Sequence, residues 1–282
     1  MKSPLLPEMK SLLLATSAGL LLGMAAPTSA SALIIANFES ASGYTAGTQL
    51  VGQQNWGGSA GTGNVTPDPL NSGYTFVING SQSAWVNAGG TGVPRRTFLD
   101  AGATAADFYE LSWFQAAPDA LGATAKSGVL LYNPGSGGTA ASILVEGSTG
   151  KVMLHGEFNN GSADDHDSGQ TITMGGGGAP TLSQVYRFTM QFSFSGTNAS
   201  MTGFMELAND LGNRTNLGTV SMNTGVIPSA TYAINNYSVG LHSTGGTLGI
   251  DDIILVPEPA VTALLGVGLA CVLWHRRRRV IS

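Results

Sequence analysis

The chain has 282 residues, with 12 basic against 17 acidic side chains, 40 glycines and a single cysteine. That acidic balance argues against nucleic acid as a partner. A lone cysteine, Cys271, excludes a scaffold stapled by disulfides.

In chain order, Lys2 and Lys10 precede an apolar run over residues 12–26, and Ala30, Ser31 and Ala32 form a small-x-small step. Basic start, apolar core and small residues are the pattern of a secretory signal peptide over 1–32. It implies Sec-type export machinery and a signal peptidase, with cleavage expected after Ala32 and, second, after Ala30. The segments 1–32 and 257–282 hold six of the basic and two of the acidic residues. The intervening 33–256 therefore carries six basic against 15 acidic side chains, a net of −9.

Within 33–256 no long stretch repeats every 3.6 residues. Short apolar runs alternate with Gly, Ser, Thr and Asn, the pattern of strands joined by turns. Strands are expected at 33–38, 74–78, 83–87, 107–115, 129–132, 142–146, 151–158, 185–194, 201–207, 217–222, 237–242 and 247–256. In 185–194, Tyr186, Phe188, Met190, Phe192 and Phe194 alternate with Arg187, Thr189, Gln191 and Ser193, so one face is buried and one wet. In 107–115, Tyr109, Leu111 and Trp113 share a face opposite Phe108, Glu110, Ser112 and Phe114. The segment 151–158 pairs back on its predecessor across residues 147–150. About a dozen strands exceed one open sheet. The expected fold is therefore all-β, a two-sheet antiparallel β-sandwich (jelly roll), with the signal peptide before it and a short transmembrane helix after it.

That last element is read from 257–282. Pro257, Glu258 and Pro259 end the preceding strand, because proline fixes φ and donates no hydrogen bond. Residues 260–274 are apolar, and Arg276, Arg277, Arg278 and Arg279 follow, holding this end on the cytoplasmic side. Fifteen helical residues reach about 22 Å against a hydrocarbon core of about 30 Å, a marginal span suited to transient insertion. The three-part order resembles the PEP-CTERM sorting signal of exported bacterial proteins. The resemblance implies temporary retention in the inner membrane, processing near Pro257, Glu258 and Pro259 by an exosortase-type membrane peptidase, and delivery to the cell surface or extracellular matrix.

A second resemblance rests on ANFES…YTAGTQLVGQQNW, GSQSAWV and GIDDIILVPEP. These segments are similar to concanavalin A-like (LamG-type) jelly-roll domains, and they imply that the first and last strands are neighbours.

No constellation announces catalysis, and no catalytic residue is assigned. A glycosidase needs two carboxylates about 5–10 Å apart, whereas Glu110, Glu146, Glu157 and Glu206 each stand alone in their strands. His155 and Glu157 share a strand face with no nucleophile beside them. Asp164, Asp165 and Asp167 in GSADDHDSGQ are weak calcium candidates, read first as a solvated turn, since the spacing is not that of an EF-hand. Asp251 and Asp252 are expected to be a strand-end feature. Trp56, Trp85, Trp113, Tyr44, Tyr74 and Tyr132 are expected in the core rather than as sugar-stacking platforms. The reading is an exported, non-catalytic surface or matrix protein. A glycan-binding lectin-like module, with or without calcium, is the alternative, and a glycoside hydrolase comes third.

Overall fold

The computed structural model describes residues 32–58, 63–67, 78, 80–87, 93–98, 108–116, 125–132, 138–158, 162–173, 182–195, 198–222, 237–244 and 247–257. The expected signal peptide up to residue 31, residues 74–77 of the strand expected at 74–78, and the helix at 260–274 with its arginines lie outside them. No helix among the described residues is long and apolar enough to cross a membrane.

Fourteen strands are present among the described residues. In chain order they are β1 (Leu33–Ala36), β2 (Gly63–Pro67), β3 (Gln82–Asn87), β4 (Arg95–Thr97), β5 (Phe108–Ala116), β6 (Lys126–Tyr132) and β7 (Thr139–Glu146). They continue as β8 (Lys151–Glu157), β9 (Ala163–Thr171), β10 (Val185–Ser195), β11 (Asn198–Leu207), β12 (Thr215–Met222), β13 (Ser238–Ser243) and β14 (Thr247–Pro257). Two antiparallel sheets result. One runs β12-β11-β10-β5-β14-β3-β2, with β1 also on β14, and the other runs β4-β13-β6-β7-β8-β9. As the second resemblance implied, the first and last strands are partners, with Leu33 opposite Leu255.

The core lies between the sheets and follows the period-two pattern. Tyr109, Leu111 and Trp113 of β5 face it beside Phe188, Met190 and Phe192 of β10, and Trp113 stacks on Phe188 with centroids 5.8 Å apart. From the second sheet, Val129, Leu131, Ile143, Val145, Val152 and Leu154 meet them. Each such side chain contributes about 1.5–3 kcal/mol by leaving water.

The segments that carried the jelly-roll resemblance are structural ties. Glu39 accepts hydrogen bonds from the backbone N–H of Ser81 and Gln82, both at 2.7 Å, and from the Ser81 hydroxyl at 2.9 Å. Trp56 Nε1 donates to Tyr44 Oη at 2.9 Å within a cluster that includes Phe38. These contacts sew the loop after β1 onto the start of β3.

Two expectations are corrected here. Residues 163–171 are an exposed edge strand, β9, not a turn; Asp165 lies opposite His155 and Asp167 opposite Met153 of β8. Asp251 and Asp252 sit in mid-strand, in a strand flanked by β5 and β3, at a bulge where the β14–β5 register shifts between Asp251 and Ile254. The bulge puts Asp252 at φ 46 and turns both aspartates into the protein. Asp251 is buried but satisfied: one carboxylate oxygen accepts the Ile78 N–H and the other the Asp252 N–H, each at 2.9 Å.

Candidate functional site

The densest polar constellation among the described residues lies on the outer face of the eight-stranded sheet. Alternation along β10 turns Arg187 and Gln191 outward, opposite the aromatic face. Register then sets Glu206 of β11 beside Arg187 and Glu110 of β5 beside Gln191. Arg214, entering from the β11–β12 turn, lies with its guanidinium carbon 5.1 Å from the Phe204 ring centroid. It donates to Glu110 Oε1 at 2.9 Å, and its Nε stands 3.7 Å from Glu206 Oε2. Arg187 donates to the same Glu206 oxygen from Nε at 2.8 Å and Nη2 at 2.5 Å, and the Gly212 N–H reaches the other oxygen at 2.8 Å. Gln191 Nε2 also donates to Glu110. Glu110 and Glu206 therefore do not stand alone: they converge on one guanidinium.

Two carboxylates that close invite comparison with a glycosidase pair, where one carboxyl is held protonated as the general acid. Here the electrostatics run the other way. Burial alone pushes the Glu110 carboxyl up, but hydrogen bonds from Arg214 and Gln191 and the charges of Arg214 and Arg187 outweigh it and hold its pKa below the usual value. Glu206, with a side chain only 1% exposed, is covered by its donors. The cluster is a neutralised tie across β5, β10, β11 and the β11–β12 turn. Within it, Glu110 is held as a carboxylate rather than as a proton donor.

The calcium candidates diverge. Asp164 accepts the Ser221 N–H of β12 at 2.6 Å, Asp165 meets His155 Nδ1, and Asp167 pairs with Lys151 at 3.3 Å. No group of three metal-ligating side chains forms among the described residues. Asp167 is held below the usual carboxylate range first by the Gly169 N–H and then by Lys151.

One arrangement was not anticipated. Register sets Ser142, His155 and Asp165 side by side across β7, β8 and β9. A Ser–His–Asp nucleophile requires a serine–histidine hydrogen bond. Ser142 Oγ is buried and makes none, so the row pairs only His155 with Asp165. The signal that could have found it is the count of residues across the two hairpins.

Trp56, Trp113 and Tyr44 are buried, Trp85 is half-buried, and Tyr132 lies beneath Arg95, 4.3 Å from its ring centroid. Tyr74 lies outside the described residues. On this same outer face of the six-stranded sheet, burial holds His242 below its usual pKa of 6.5. The unfolded chain therefore binds the proton more readily than the fold does. This contribution to stability is full above pH 6.5 and is lost as pH falls below it. Melting temperature is expected to drop on acidification through that point, less so in His242→Asn; equal drops in both proteins would contradict the assignment.

The expected sorting residues are covered by a family match: residues 255–279 match the PEP-CTERM protein-sorting motif. The match begins inside β14, which runs to Pro257, and takes in Glu258, Pro259 and the four arginines. No curated protein matches the chain in sequence. Among solved structures, the chain is similar to the binding domain of botulinum neurotoxin DC in complex with SialylT, at 11% identity over 74% of this chain and 45% of that one, TM-score 0.41. It is similar to the cellulose induced protein Cip1 at 14% identity, over 72% and 91%, TM-score 0.42. It is also similar to the T. cruzi calreticulin globular domain at 12% identity, over 80% and 95%, TM-score 0.42. The chain spans less than half the length of the neurotoxin binding domain.

Proposed function

We propose, from a C-terminus that carries the PEP-CTERM protein-sorting motif, that this chain is an exported, non-catalytic jelly-roll protein presented at the cell surface or in a polysaccharide matrix. The observation that carries the reading is the motif at residues 255–279, abutting a closed β-sandwich. In this reading the signal peptide directs export, and the apolar run over 260–274 holds the chain in the inner membrane. The arginines stay cytoplasmic, and an exosortase-type peptidase processes the chain near Glu258. The sandwich contributes a stable body without disulfides. Support for a non-catalytic role comes from the neutralised Glu110–Arg214–Glu206 cluster and the unbonded Ser142. The lectin-like alternative is less favoured, because the aromatics that would stack sugars are largely in the core.

Glu258→Ala is expected to leave full-length protein in the inner-membrane fraction, whereas the parent chain is released. Intact mass of the released form would fix both processed ends. Normal release of the Glu258→Ala chain at the parental mass would overturn the sorting reading.

A further inference from the structure

We propose that the free edge of β9 is a docking edge for a second copy of this chain, and that Asp165 and Asp167 hold it closed. β9 ends the six-stranded sheet, and among the described residues it pairs only with β8. A strand in that position offers a row of N–H and C=O groups to another strand. The same strand of a second molecule, related by a two-fold axis normal to the sheet, meets it antiparallel. Two strands so related pair about one central residue, and each choice of centre is one register.

Pairing about His166 sets Asp165 opposite Asp167 of the second copy, twice over. Pairing about Asp165 or about Asp167 sets that aspartate opposite itself. Directly opposed side chains have Cβ atoms about 4.5–5.5 Å apart, where like charges are destabilising. Centres at Ser168 or Gly169 avoid opposed carboxylates, but β9 is bulged there. Met153 of β8 pairs with Asp167 whereas Lys151 pairs with Thr171, so β9 carries two residues more than β8 over this step. Gly169 has φ +69, its N–H turns back to Asp167 Oδ1 at 2.9 Å, and the Gln170 N–H turns to Ser168 Oγ at 3.1 Å. Backbone bent in this way presents no straight edge. Every two-fold register that shares five or more residues of Ala163–Thr171 is therefore obstructed, by charge on one half of the strand and by backbone on the other.

The other polar side chains of this half-strand are engaged within the molecule. Asp164 accepts the Ser221 N–H of β12 at 2.6 Å, and the His166 ring lies against Gly218 of β12. Asp165 and Asp167 alternate with them and point to the opposite face, with side chains 59% and 47% exposed. Their partners, His155 and Lys151, come from β8, on the flank away from the free edge. Both carboxylates therefore remain to meet an approaching strand.

The test compares three forms of the full chain in non-ionic detergent micelles: the parent, Asp165→Asn with Asp167→Asn, and Asp165→Lys with Asp167→Lys. Asparagine removes the charge and keeps the shape, whereas lysine restores a like charge of the other sign. Sedimentation equilibrium reads self-association, and hydrogen exchange against protein concentration reads where it occurs. The asparagine form is expected to associate about tenfold more tightly than the parent, the worth of two opposed like-charge pairs. Its β9 amides should gain protection as concentration rises, while exchange in β5 and β10 stays as in the parent. The lysine form should behave as the parent does. Sodium chloride at 1 M, which shortens the screening length to about 3 Å, should strengthen association of the unsubstituted chain and leave the asparagine form unchanged. The proposal is overturned by an asparagine form no tighter than the parent, by association without protection of β9, by a lysine form as tight as the asparagine form, or by a parent indifferent to salt.

Discussion

Replacing Glu206 by alanine is expected to lower the unfolding free energy of the released form by about 3 kcal/mol, the low end for removing one partner of a buried ion pair. The side chain is 1% exposed and bonds Arg187 twice, the Gly212 N–H once and Arg214 at longer range. Its loss leaves two guanidinium groups facing each other without their shared anion and frees the N–H that closes the β11–β12 turn. The arginines are 29% and 32% exposed, so water tempers the penalty and places it at that low end. Glu206→Gln keeps the shape and can still accept the Gly212 N–H, so it should lose less. Urea unfolding midpoints for the three proteins decide the matter. A loss below about 1 kcal/mol for the alanine variant would mean that the pair behaves as a surface salt bridge.

Glu110 responds to pH in the same direction as His242. Its folded pKa lies below its ordinary value of 4.5, so its contribution is present above that pH and is lost as acid protonates the folded carboxylate. Acid therefore loosens both outer faces, His242 first.

The sequence makes the central strands readable because each has one face in the core and one in water. β10, with its run of alternating aromatics, is found to within one residue. β9 has no such pattern: both faces of Ala163–Thr171 are largely exposed, and pairing to β8 with long-range side-chain bonds such as that of Asp164 to Ser221 makes it a strand. β4, at three residues, is too short to show a period. The polar cluster was half legible. Arg187 and Glu206 fall opposite each other once 185–194 and 201–207 are taken as a hairpin, but Glu110 and Arg214 are 104 residues apart and meet only through sheet order. The bulge at Asp251 was hidden because its reason, the Ile78 N–H, is 173 residues away. The sorting tail was legible in full as a motif, since its order of proline, apolar run and arginines is a linear property of the chain.

A close approach of the two sheets at Gly156 yields the second large effect. Gly156 of β8 lies opposite Ala141 in β7 and Asp164 in β9. A Cβ built there would collide with the Ser221 carbonyl oxygen of β12 and come within 2.7 Å of Val220 Cβ. Backbone cannot swing aside as a long side chain can. β12 is further pinned by the Ser221 N–H on Asp164 at 2.6 Å. Gly156→Val must therefore push β12 off β8 or strain both, and a loss of about 3 kcal/mol is expected, the upper part of the overpacking range. Hydrogen exchange should quicken at the Ser221 amide before it does in β5 or β10, because the wedge opens only this margin of the sandwich. Gly169→Ala separates packing from backbone strain: φ there is +69 with nothing within 4 Å of a Cβ, so only the left-handed conformation is penalised, by about 1–2 kcal/mol. Equal losses at the two glycines, or unchanged exchange at Ser221, would show that the sheets have room to part at Gly156 and that Asp164 alone holds β12 in place.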